Sequence, residues 1–76
     1  MRHLMTPNAT QKMRRHRVRL TDILRTITQS AAHCMQDGRH VAERRTSSGG
    51  LLRVVDLRRP YPVIIIVLLA PEPLMA

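Results

Sequence analysis

Aromatic residues are nearly missing from this sequence. Tyr61 is the one example, with no Trp and no Phe among 76 residues. Proteins that read splayed single-stranded bases stack them on aromatic rings, so this chain lacks that platform, and any contact with nucleic acid falls to the phosphate backbone. Cysteine is as scarce. Cys34 stands alone, which excludes an internal disulfide framework and suits a reducing cytoplasm. His3, His33 and Cys34 have no second pair at zinc-ligand spacing, so no metal site is expected. Walker, Rossmann and serine-hydrolase signatures are missing as well, and no cofactor is expected. No apolar stretch approaches the length of about 18 residues that a membrane helix needs. The opening residues Met1-Arg2-His3-Leu4-Met5-Thr6-Pro7 carry no apolar segment of the signal-peptide kind. The expected location is the cytoplasm, and no membrane is expected as a partner.

Acidic residues are few too. Five Asp plus Glu face thirteen Lys plus Arg, a net charge of +8, and all of those cations except Lys12 are Arg. Such an excess favours polyanions, either RNA or an acidic protein. The alternative is an Arg-rich composition that only keeps a small chain soluble. A chain of this length makes one domain, able to bury about 60% of its unfolded surface.

Against these absences stands one apolar run, Val63-Ile64-Ile65-Ile66-Val67-Leu68-Leu69-Ala70, between Pro62 and Pro71. As a helix it would reach only about 12 Å. As a strand it reaches about 26 Å, with apolar side chains on both faces, and its β-branched residues suit a buried central strand. Upstream, Thr6-Pro7 is a helix entrance, Thr capping free amides and Pro occupying the first helical position. A weakly amphipathic helix follows to about His16, with Ala9 and Met13 on one stripe. Arg17-Val18-Arg19 reads as a break with Val18 turned inward. Leu20, Ile23, Leu24, Ile27 and Ala31 then mark one face of a helix from about Leu20 to Ser30, with Asp22 favourably placed in its first turn. Ala32–Gln36, the turn Asp37-Gly38, Arg39–Arg45, a loop over Thr46-Ser47-Ser48-Gly49-Gly50 and Leu51–Leu57 read as successive hairpin strands. The expected fold is α+β, two N-terminal helices packed on a four-stranded antiparallel sheet. Residues 6–70 form its ordered core, with flexible ends at 1–5 and 71–76.

With those elements placed, several collinear stretches carry a family resemblance. They are Thr6-Pro7-Asn8-Ala9-Thr10-Gln11-Lys12-Met13, then Leu20-Thr21-Asp22-Ile23-Leu24, then Asp37-Gly38-Arg39-His40-Val41-Ala42-Glu43-Arg44-Arg45. Gly49-Gly50-Leu51-Leu52-Arg53-Val54-Val55 and the late strand Val63–Leu68 complete the set. In this order the chain resembles domain-of-unknown-function family 4258, within the RelE/barnase/EndoU/colicin-like (BECR) group of RNase folds. The resemblance implies a RelE-like scaffold, an RNA-cleaving toxin or RNA-binding domain, and an acidic antitoxin-like protein as the alternative partner to RNA. It also implies a departure. Asn8 stands where the family carries His on its first helix, and Asn is no general base at neutral pH.

Metal-independent RNA cleavage needs a group to take the 2′-OH proton, one to protonate the leaving 5′-oxygen, and cations for the charge developing on phosphate. Histidine suits the proton steps. Strand alternation puts His40 and Arg44 on one face, with Arg39, Val41, Glu43 and Arg45 on the other. His40, Arg44 and Arg53, the last from the neighbouring strand, are the candidate catalytic residues. Lys12, Arg14, Arg15, His16 and Arg39 are the candidate RNA-phosphate contacts, with a salt-dependent affinity. Ser47 and Ser48 beside glycine are able to cradle a phosphate, or simply to close a hairpin. The dull reading of every such group is a solvated polar face. A chain of this composition that is a non-catalytic interaction module of the same fold, binding an acidic protein, is the runner-up.

Overall fold

The computed structural model describes residues 4–46, 49–59 and 62–70. The expectations placed on His3, on Ser47-Ser48, on Tyr61 and on the tail 71–76 lie outside the described residues. The elements are β1 (Leu4–Met5), α1 (Pro7–Arg15), α2 (Leu20–Thr28), β2 (Ala32–Gln36), β3 (Arg39–Arg45), β4 (Leu51–Leu57) and β5 (Val63–Leu69). The class is α+β, as expected. The sheet differs from the expectation in having five strands, in the order β1-β5-β4-β3-β2. β2 to β5 form an antiparallel meander, and β1 adds a parallel pair against β5. Leu4–Met5 thus belong to the sheet and not to a flexible end: Leu4 N–H donates to Pro62 O and Thr6 N–H to Ile64 O, both at 3.0 Å. The apolar run is an inner strand flanked by β1 and β4, and β4 holds the sheet's centre.

Local chemistry explains the elements. Thr6 caps α1, its Oγ1 accepting from Ala9 N–H at 3.1 Å, and Pro7 opens the helix. The same hydroxyl donates to Ile65 O at 3.0 Å, so the cap also fastens α1 to β5. Arg17 sits in the left-handed region (φ 54°) between the helices, and Val18 packs against the core beside Met13. Asp37 and Gly38 both have positive φ (51° and 75°), which is the demand of a two-residue hairpin of the I′ kind.

α2 is shorter than its apolar spacing suggests. It buries Ile23, Thr26 and Ile27, while Leu20 is 49% exposed and Ala31 lies beyond the helix end. The core gathers Ala9, Ile23, Ile27, Leu52, Val54, Ile64 and Val67. All the strand members lie on one face of the sheet, with both helices over it. Ile64 and Val67 are three residues apart, so strict alternation would put them on opposite faces. A bulge resolves this: Val55 pairs with Ile66 and Asp56 with Ile64, leaving Ile65 as the extra residue.

Candidate functional site

The tight Asp37-Gly38 turn fixes the β2–β3 register. Gln36 faces Arg39, Met35 faces His40 and His33 faces Ala42. His33 and His40 therefore stand diagonally on one face, and their rings meet. Nε2 of His33 lies 2.8 Å from Nδ1 of His40, with centroids 5.0 Å apart. One imidazole donates and the other accepts, so the pair holds a single proton between its two facing nitrogens. Across β3 and β4, His40 pairs with Asp56. Asp56 is fully buried. Its Oδ2 accepts from Arg58 Nε at 3.3 Å, a long bond, and its Oδ1 has no hydrogen-bond partner. A buried carboxyl oxygen left in that condition is costly and uncommon in folded chains. Beside it a cleft of about 420 Å³ is lined by Met35, Gly38, His40, Leu57, Arg58 and Arg59.

Burial pushes the His40 imidazole below the ordinary histidine value of 6.5, the Arg58 charge adds to the shift, and His33 adds a smaller part. Asp56 pulls the other way and loses. His40 is thus a neutral proton acceptor at pH 7. The sign for stability follows. Between the lowered folded value and 6.5 the unfolded chain binds more protons at this residue than the folded chain does, so acid favours unfolding. His40 contributes fully above 6.5, and its contribution is lost as pH falls below that value. Thermal melts of the parent chain should shift to lower temperature on acidification through this window, and His40→Gln should flatten that slope.

Arg44 shares the helix-covered face with His40, as strand alternation requires, yet it does not join the histidine. Its Nη1 donates to Gln29 O at 2.6 Å, and it lines a separate pocket with Arg25 and Arg45. Arg53 is misplaced by the expectation altogether. It pairs with Glu43, while Asp56 is the residue facing His40 and Leu52 faces Arg44. Its guanidinium lies on the sheet's other face, with Nη2 2.8 Å from Glu43 Oε2, the carboxylate 3% and the arginine 23% exposed. Among the described residues no helix covers this second face, on which Val55, Ile66 and Leu68 are half-buried. Arg39, at the start of β3, belongs to the same face, opposite to His40.

Lys12, Arg14, Arg15 and His16 lie on α1 and at its C-cap, with Arg14 and Arg15 exposed. α1 packs on β5, two strand spacings, or about 10 Å, from β3. This basic helix is therefore a surface apart from the histidine pair. Among the described residues no group of three or more His, Cys, Asp or Glu is placed to hold a metal, and no helix is long and apolar enough to cross a membrane.

Compared with protein-family models, with curated proteins and with solved structures, the chain matches none of them. The site therefore has to be read from its own geometry. Four of its residues, His33, Asp56, Arg58 and Arg59, were not among the expected ones. Two carried a usable signal. A two-residue turn at Asp37-Gly38 forces His33 and His40 into diagonal positions, and alternation through Leu52, Val54 and Asp56 turns the aspartate inward.

Proposed function

We propose that the chain is a small basic cytoplasmic protein that binds RNA through its phosphates and cleaves it, without metal, at the His33–His40 pair. The observation that carries this reading is the lowered, hydrogen-bonded His40 at the mouth of a cleft that also holds Arg58 and Arg59. His40 takes the proton of a ribose 2′-OH as that oxygen bonds to phosphorus, and the P–O5′ bond breaks to leave a 2′,3′-cyclic phosphate. Water returns a proton to the departing 5′-oxygen, and the two arginines bear on the phosphoryl charge. Two helices over one sheet face support the RelE-like scaffold that the resemblance to the BECR group implies. The net charge of +8 supports a polyanionic partner.

One feature favours a second reading. Two imidazoles in direct contact form a single proton relay and do not flank a phosphorus from opposite sides. A non-catalytic module of the same fold, meeting an acidic antitoxin-like protein with the same cations, accommodates that arrangement. A short single-stranded RNA containing a ribonucleotide at every position, incubated with the chain in a chelator, separates the two. The cleaving reading expects cyclic-phosphate products, a loss of about 10²–10⁴-fold in rate in His40→Gln, and binding that weakens linearly in log salt. Salt-sensitive RNA binding with intact RNA would leave RNA binding without cleavage. No RNA binding at any salt would remove both RNA roles.

A further inference from the structure

A second cationic pocket lies where α2 crosses the end of β3. It has a volume of about 200 Å³ and is lined by Asp22, Arg25, Thr26, Arg44, Arg45 and Thr46. Three guanidiniums share this space with one carboxylate. None of the three makes an ion pair among the described residues, since the two pairs found there are Arg53–Glu43 and Arg58–Asp56. Two of them are instead held by neutral carbonyls, Arg44 by Gln29 O at 2.6 Å and Arg45 by Gly49 O at 3.1 Å. A carbonyl fixes the direction of a guanidinium and leaves its charge intact, with further N–H donors still to offer. The threonines add no donors, because Thr26 Oγ1 gives its proton to Asp22 O and Thr46 Oγ1 to Gly50 O. Recognition here is therefore by arginine alone. Like charges gathered in this way repel unless an anion lies between them.

We infer that this pocket takes a phosphomonoester dianion, such as the terminal phosphate of a nucleic-acid strand. Three positive charges and one negative leave a surplus that matches a monoester, which carries close to two negative charges at neutral pH, better than the single charge of an internal diester. Forked guanidiniums are also the side chains best suited to several phosphate oxygens at once. The nucleic-acid source of the phosphate rests on the RNA reading above; the anion site itself does not. Arg44 and His40 lie four residues apart on β3, about 13 Å along the strand. A strand end anchored in this pocket would therefore be held a short, fixed distance from the histidine cleft.

Two measurements test this. In the first, inorganic phosphate is titrated while the guanidinium Nε–Hε signals are followed by NMR. Shifts should concentrate on Arg25, Arg44 and Arg45. Affinity should fall about tenfold in Arg25→Gln and in Arg45→Gln, stay unchanged in Arg19→Gln, and rise in Asp22→Asn, a gain that a merely structural role for Asp22 would not produce. In the second, one RNA is compared with and without a terminal phosphate. The phosphorylated form should bind about tenfold tighter, and Arg25→Gln should erase that preference. Shifts spread equally over Arg14, Arg15 and Arg19, or absent, would overturn the inference even if RNA binds. Phosphate shifts confined to the pocket with no RNA binding would leave the anion site standing and remove the RNA reading.

Discussion

Leu52→Ala should leave most of the chain unfolded at 25 °C. Leu52 is fully buried at the middle of the sheet and belongs to the one cluster that joins both helices to β4 and β5. Truncating a buried leucine removes its transfer energy and leaves a cavity, together about 2–5 kcal/mol. A domain of this size rests on a net stability of about 3–5 kcal/mol, so the loss is comparable with the whole. Among the described residues the core has no aromatic side chain to fill the space, and apart from Ala9 the other members of its cluster are β-branched residues with little rotamer freedom to collapse into it. Leu68→Ala is the control. Leu68 lies on the face that no described helix covers and is half-buried, so its truncation should cost less than half as much. Urea denaturation followed by far-ultraviolet circular dichroism reads both. A Leu52→Ala midpoint equal to that of the parent would mean that the helices do not draw their stability from this cluster.

The opposite sign is expected at Asp56. Replacing it by valine should stabilise the fold by about 2 kcal/mol while impairing the histidine site. The side chain occupies an inward position in a β-strand between Val54 and the bulge, fully buried, with one long bond to an arginine that is itself 42% exposed. Exchanging a poorly compensated buried charge for an apolar residue of similar volume is commonly neutral or favourable by 1–4 kcal/mol, and valine suits a strand. In a domain of this size each kcal/mol raises Tm by about 4–8 °C. Asp56 is also the group that raises His40 against its other neighbours, so the variant should drive the His40 titration to still lower pH, visible by NMR. Arg58 would then lose its partner and the cleft its arrangement. A substantial loss of stability would show that the carboxyl is well satisfied, and the case for a strained site at His40 would fall with it.

These two residues illustrate what was legible. The bounds of β2, β3 and β4 follow from turn chemistry and alternation, because Asp37-Gly38 and the glycines at 49 and 50 mark strand ends by backbone preference. Thr6-Pro7 announced α1 for the same reason. β1 was not readable: two residues carry no period, and Leu4–Met5 become a strand only because β5 offers its edge. Nor was the C-terminal end of α2, since Ala31 fits the helical spacing but lies beyond Thr28, just as Leu20 fits it at the start yet is half-exposed. Arg53 went wrong through register. In the β3–β4 pair the loop length sets it against Glu43, and a single step of slip separates that arrangement from one that would have brought it to His40's face. Arg44 went wrong through reach, since a shared face does not decide which way a long side chain lies.

The extra residue in β5 makes the apolar run tolerant of composition and intolerant of length. Exchanges among Ile, Val and Leu within it alter volume but keep every side chain on its own side. Dropping Ile65 would restore strict pairing with β4 and leave Ile64 opposite Asp56 on the covered face, but it would withdraw the carbonyl to which Thr6 is tied. Such a deletion would detach the first helix through a change made some sixty positions downstream. Among homologous chains, gaps should therefore collect in the 46–50 loop and avoid this octapeptide.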